Sequence, residues 1–375
     1  MDLLGMQLTL LLGATVPAPA PRMMMEALQT VSVTHTDKGR SGFQITFQVG
    51  RSNAKDVNEH PLLTNTLIRP FNRIVLVVTL SGSPRVLFDG VITHYELSPG
   101  VERGTSTFTL TGEDLSLVMD QEEKITEHPG QDESTIVKVI LGSYCQYGLL
   151  PDVKTPSSVE TPLTIERVPE QHGTDLGYIK EMADRFGFVF YITPGPAPGT
   201  STAYWGPPVR SGTPQKALSA NMGQSSNVSS ISFQDNWLAP TLVSGRVQDR
   251  TTNEDTSVNI TGSTRVPLAS QSGLDMNPPF VRKVKFMQGG LTVSQAIARA
   301  QGMTDDSVDE VVTATGELDA IRYGDLLQPR GLVKVRGTGQ QHDGLYYVKS
   351  VTHVIRKEDY KQHFTLTREG IGALA

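Results

Sequence analysis

Val351-Thr352-His353, followed after ten residues by Phe364-Thr365-Leu366-Thr367, has an earlier counterpart. Ile92-Thr93-His94 is followed after thirteen by Phe108-Thr109-Leu110-Thr111. Each stretch reads as a β-hairpin: a β-branched and aromatic run, a polar turn (Ser98-Pro99-Gly100 or Arg356-Lys357-Glu358-Asp359), and a return segment in which apolar residues alternate with Thr. A period of two puts Tyr360, Gln362, Phe364 and Leu366 on one face of the return strand and Lys361, His363, Thr365 and Thr367 on the other. Phe108 and Leu110 repeat that alternation. Two such hairpins far apart in one chain are read as two related β-domains; chance recurrence of common strand residues is the other source of such a match.

Working outward, Val31 and Val33, then Phe43, Ile45 and Phe47, then Ile74-Val75-Leu76-Val77-Val78 predict three strands before the first hairpin, enough for a β-barrel or sandwich over residues 26–120. Between them, Arg51 to Pro70 reads as a long polar loop. Past Leu117 the period changes. Asp132-Glu133-Ser134-Thr135 starts a helix carrying Ile136, Ile140 and Tyr144, and Thr174-Asp175 starts another carrying Leu176, Ile179, Met182, Ala183 and Phe186. The apolar run Phe188 to Ile192 follows and is covered on both faces, so residues 121–227 read as an α/β insert. Thr193 to Met222 reads as a surface excursion with Tyr204-Trp205 as its aromatic anchor, and Gln248 to Gly273 as a mobile loop. Thr292 caps a short helix with Val293, Ala296, Ile297 and Ala300 inward and Gly302 after it. Residues 228–255 and 311–375 form the second barrel, and 256–310 a loop-and-helix insert.

Residues 1–25 read as an extended arm. Gln7-Leu8-Thr9-Leu10 alternates like a strand and a proline run follows, which places Leu8 and Leu10 against a neighbouring protomer. Asp2 and the lack of Lys or Arg before Arg22 argue against a signal peptide. Of 375 residues, 58 are Gly or Pro (35 and 23), which suits a turn-rich β protein. A net charge of −6 gives no basic field for nucleic acid, and no run is long enough to insert in a membrane. One cysteine, Cys145, excludes an internal disulfide and reads as a buried thiol.

With its parts in this order the chain resembles the late control D family, the baseplate hubs of contractile phage tails and related injection systems. The residues that carry the resemblance are Thr174-Asp175-Leu176-Gly177-Tyr178-Ile179 leading through Arg185-Phe186-Gly187 into Phe188 to Tyr191, and Gly344-Leu345-Tyr346-Tyr347-Val348 leading to Val351-Thr352-His353. It is similar also to the N-terminal half of type VI valine-glycine repeat spike proteins. The resemblance implies a mainly β chain with α+β inserts, its two related barrels forming a pseudo-sixfold ring in a homotrimer. It also implies a structural role adapting a sixfold inner tube to a threefold spike, with inner tube, separate spike and baseplate wedge proteins as partners. Such a particle is assembled in the bacterial cytoplasm, and strand addition at sheet edges would bind the tube. The chain ends soon after the second barrel, which leaves the spike to a separate polypeptide.

No catalytic, metal or cofactor-binding residue is expected. His94 and His353, in matching places of the two hairpins, read as structural. Asp305, Asp306, Asp309 and Glu310 read as a solvated surface rather than an acid pair. The other function class is a carbohydrate- or receptor-binding β-protein with Tyr204 and Trp205 as its platform.

Overall fold

The computed structural model describes the chain apart from residues 1, 4, 5, 15, 51–61, 63–65, 103, 104, 160, 166, 277 and 375, so most of the loop expected over Arg51 to Pro70 lies outside the described residues. In chain order the first part holds strands β1 (Met6–Gly13), β2 (Leu28–Thr36), β3 (Gly42–Val49), β4 (Arg73–Leu80), β5 (Ser83–Ser98) and β6 (Ser106–Asp114). The middle part holds helix α1 (Glu133–Gly142), strand β7 (Leu149–Val153), helix α2 (Asp175–Asp184), and strands β8 (Val189–Pro194), β9 (Ser201–Gly206) and β10 (Gln215–Ser219). The rest holds β11 (Val228–Asp235), β12 (Thr241–Gln248), β13 (Asp255–Asn259), β14 (Arg282–Phe286), helix α3 (Val293–Val308), β15 (Val312–Asp319), β16 (Leu332–Arg336), β17 (Gly344–Arg356) and β18 (Asp359–Arg368).

The expected hairpins are β5–β6 and β17–β18, and each lies in a six-stranded unit of the same order. The first unit runs β1-β4-β5-β6-β3-β2; the second runs β10-β16-β17-β18-β15-β11; five strands correspond in direction, whereas the outermost do not, β1 lying antiparallel to β4 and β10 parallel to β16. The likeness extends to irregularities that strand composition does not dictate. β5 is bulged between Ile92 and His94, β17 between Val348 and Ser350; β2 is bulged between Leu28 and Thr30, β11 between Val228 and Ser230. Phe71 and Arg330, both non-glycine residues with positive φ (66° and 65°), sit just before β4 and β16, and each donates its backbone N–H to the carbonyl of the residue before the bulge, Ile92 or Val348. Five strands in one order, two shared bulges and a shared left-handed residue give the two units a common plan.

The bulges also correct the match from which the repeat was read. Aligned through them, Ser350 corresponds to His94 and Leu110 to Phe364, so His94 and His353 are not equivalent. Short Thr-rich strings match well enough two or three residues out of register to mislead.

Neither unit closes into a barrel among the described residues. The strands instead form one open sheet, joined where β2, at the edge of the first unit, pairs antiparallel with β17 in the second: His353 faces Val33 and Ile355 faces Val31. Each unit has its own apolar core, the first around Phe47, Phe88 and Phe108, the second around Tyr323, Tyr346 and Phe364. Tyr360, Gln362, Phe364 and Leu366 are all buried, as their alternation requires.

Nor is the N-terminal segment an arm. β1 pairs along its whole length with β4, Leu8 against Val78 and Leu10 against Leu76, and both leucines are 1% exposed in the chain's own core. The alternation was that of a half-buried strand, and the apolar run of β4 supplies its partner.

Two α/β pieces flank the sheet. In the first, β7, β9 and β8 form a three-stranded sheet beneath α1 and α2, whose caps are Asp132 and Thr174. The excursion expected over Thr193 to Met222 is therefore ordered sheet: β9 is the central strand and β10 joins the second unit. In the second, β12 pairs with β13 and β14 instead of the duplicated sheet, and α3 covers them. The loop expected over Gln248 to Gly273 contains β13. Helix α3 does not stop at Gly302 but runs to Val308, because Gly302 lets it lie against the Phe186-Gly187 turn, where a Cβ would come within 2.7 Å of backbone atoms. Ile297, expected to face inward, is largely exposed.

Candidate assembly surfaces and the charged junction

Sequence reasoning singled out Leu8, Leu10, Tyr204 and Trp205 for interfaces, and the structure places all four inside the chain. Trp205, on β9, is fully buried and donates its indole N–H to the Ile179 carbonyl on α2, 3.2 Å away. Tyr204 points to the opposite face of that strand, stacks on Tyr191 at 4.9 Å and donates its hydroxyl to the Pro207 carbonyl. Trp205 is thus absorbed by packing, while Tyr204 keeps its place in the wall of a cleft. Cys145, expected to be buried, is exposed.

What the sequence reading missed is charge at the junction of the parts. Arg330, held in its left-handed conformation before β16, is 7% exposed. Its guanidinium donates to the Thr36 carbonyl and Ser41 hydroxyl of the first unit and to the Ile192 carbonyl of the insert, and lies 4.1 Å from the Tyr191 ring centre. One side chain therefore ties three parts of the fold, its five donors serving several acceptors at once. Burial lowers its pKa.

Nearby, the carboxylates read as solvated are held in a network. Asp309 accepts from Arg210 at 2.7 Å and Arg265 at 2.9 Å; Arg210 also pairs with Glu369 at 2.8 Å, and Lys38 with Asp306 at 3.3 Å. Asp305, 4% exposed, accepts from Ser263, from the amide and hydroxyl of Thr264, and from Gln301. Burial raises the Asp306 pKa against the pull of Lys38. The charge run in the sequence gave no sign of this, because the arginines that pair with it come from positions 210 and 265.

Of these groups Arg210, Arg265 and Asp305 border a cleft of about 920 Å³ between the two α/β pieces, lined also by Tyr191 and Tyr204. The carboxylates in its lining are already partnered: Asp152 accepts from Lys154, and Asp305 from Ser263, Thr264 and Gln301. Among the described residues no three His, Cys, Asp or Glu converge as a metal set, and no described helix is long and apolar enough to cross a membrane.

At the joint of the two units His35 and His353 are buried with ring centres 5.9 Å apart. His35 Nε2 lies 2.8 Å from the Leu87 carbonyl, which can only accept, so this nitrogen carries the proton. Burial pushes His353 down to about 3 and His35 well below its ordinary value, helped by Arg330 and His353, so both rings are neutral. Asp37, at the end of β2, is pushed up to about 6 by burial against the pull of Lys349 and Lys38.

The exposed sheet edges are the remaining surfaces. β11 pairs on one side with β15, and the His94–Ser98 part of β5 pairs on one side with β6, with no strand on the other side of either among the described residues.

No family model and no curated protein matches the sequence. Solved structures do match it. A tail protein from Neisseria meningitidis aligns with a TM-score of 0.64 at 14% identity, covering 98% of each chain. The 43 kDa tail protein of prophage MuSo2 from Shewanella oneidensis aligns with a TM-score of 0.63 at 12% identity, covering 97% of this chain and 98% of that one. The chain has the fold of phage tail proteins. An Escherichia coli type VI secretion component, itself described as similar to the bacteriophage T4 tail proteins gp27 and gp5, shares the tail-protein fold with a TM-score of 0.55 at 11% identity, over 91% of this chain and 73% of that one.

Proposed function

We propose that the protein is a structural hub in the baseplate of a contractile phage tail or a related injection system. Three copies form a ring in which the two duplicated units alternate, presenting six near-equivalent sheets to a sixfold inner tube and a threefold face to a separate spike. The two units are its ring-forming domains and the two α/β pieces lie outside them, where wedge proteins bind.

The observation that carries this reading is the duplication within a tail-protein fold. Two sheet units that share strand order, bulges and a left-handed residue are what a threefold assembly needs to offer sixfold contacts. A non-enzymatic role fits the carboxylates' pairing, and the burial of Trp205 takes away one of the two residues on which glycan or receptor binding rested.

The test is mass in solution by light scattering over a range of concentrations, followed by co-sedimentation with inner tube protein. A stable trimer that co-sediments with tubes is the expected result. A chain that remains monomeric at every concentration and in the presence of tube and spike proteins overturns the proposal.

A further inference from the structure

The duplication and the internal joint together specify how one copy meets the next. Within the chain, the edge of the first unit, β2, is paired with β17 of the second. The shared bulges give each residue of that joint an equivalent in the other unit: Val31, Val33 and Thr34 of β2 correspond to Ile231, Phe233 and Gln234 of β11, while Thr352 and His353 of β17 correspond to Glu96 and Leu97 of β5. The equivalents of both halves of the joint are two strand edges left unpaired among the described residues.

Burial follows this difference. Val31, Val33 and His353 are at most 1% exposed in the joint, whereas Ile231, Phe233 and Leu97 are left half-buried, and Tyr95 is 47% exposed. Arg330 closes the internal joint by reaching the Thr36 carbonyl at the end of β2. Its equivalent Phe71 is 63% exposed, and the equivalent of Thr36 is Asn236, followed by Trp237 and Leu238 at 39% and 84% exposed. Large apolar side chains thus stand bare where the internal joint has its clasp.

We propose that β11 of one copy pairs antiparallel with the His94–Ser98 edge of β5 in a second copy, in the register of the internal joint. Phe233 then lies opposite Leu97 and Gln234 opposite Glu96, while Phe71 of the second copy covers Trp237 and Leu238 of the first. The edges expected from sequence to receive tube subunits are taken up by this joint. The contact is heterologous: each copy offers β11 to one neighbour and β5 to the other, so repetition makes a ring. That the ring closes at three rests on the hub reading; the strand pairing and its register rest on the duplication.

A cysteine pair tests the register. In the internal joint the hydroxyls of Thr34 and Thr352 are 3.0 Å apart, so their equivalents Gln234 and Glu96 meet across the proposed joint at a spacing a disulfide can span. In a Cys145→Ser background, Glu96→Cys with Gln234→Cys is expected to move most of the chain into covalent multimers ending at trimer on a non-reducing gel. Glu96→Cys with Ser232→Cys, two residues out of register, and each single variant, are expected to leave at least tenfold less multimer. Because all three positions are exposed, folding is not at stake. A trimer by light scattering with no cross-link, or with equal linkage from the shifted pair, overturns this joint while leaving the hub reading intact. A strict monomer with no cross-link overturns both.

Discussion

Three ionisable side chains at the joint of the two units make opposite contributions to stability as pH changes. His353 and His35 are neutral when folded, with depressed pKa values, so their contribution is complete above about pH 6.5 and is lost as pH falls below it, for His353 towards about 3, the unfolded chain taking up protons first. Asp37, raised to about 6, holds its proton better when folded, so its contribution runs the other way and declines as pH rises from about 4 to 6. Urea midpoints at pH 7 and pH 4.5 separate the two. His353→Gln is expected to lose less stability on acidification than the unchanged chain, and Asp37→Asn to be more stable at pH 7, by on the order of 3 kcal/mol at most. Equal pH slopes in all three proteins would show that neither group is perturbed by burial. Arg330 is the other decisive residue. Arg330→Met leaves the Thr36 and Ile192 carbonyls without their donor, a loss of about 1–3 kcal/mol for buried acceptors left unsatisfied, read as a drop in the urea midpoint.

Among the elements, β1 and α3 depart furthest from the sequence reading, and each departure gives a test. If β1 is a core strand, Leu8→Ala costs about 2–5 kcal/mol, whereas an arm lying on a neighbour would leave the dilute protein's stability unchanged; chemical denaturation at low concentration decides. If α3 depends on contact between Gly302 and the Phe186-Gly187 turn, Gly302→Ala destabilises by about 1–3 kcal/mol despite alanine's better helix propensity, and a stabilised variant would refute that contact. Most strands were legible because alternation over Phe43 to Phe47, or the apolar run Ile74 to Val78, reports burial locally. The caps of α1 and α2 were legible for the same reason: Asp132 and Thr174 bond to amides three residues on. What decided β1, β9 and α3 is not local. Leu8 needs Val78, Trp205 needs Ile179, and Gly302 needs Gly187, partners that single-sequence periodicity does not name. The charged junction was hidden likewise, since Asp309 looks like surface until Arg210 and Arg265 are brought to it.

At the scale of the whole molecule the open sheet is the main consequence of the duplication. A unit closed into a barrel would have no edge; with two open units joined through β2 and β17, β11 and the His94–Ser98 part of β5 each keep a bare edge among the described residues, and bare edges are a hazard that soluble proteins seldom leave uncovered. β11 has no proline or lysine to blunt it, and its neighbour across the proposed joint carries Leu97 and Tyr95 at the surface. Hydrogen exchange measures whether these edges are used. In dilute protein the outward amides of β11 and of His94–Ser98 exchange freely, while those of β2 and β17 in the internal joint are protected. On assembly the first two sets become protected together, because each strand can bury its edge only by covering the other, and the internal joint does not change. Protection of one edge without the other would mean that a different partner occupies it, and protection of neither, in protein shown to be assembled, would place the contact between copies on another surface.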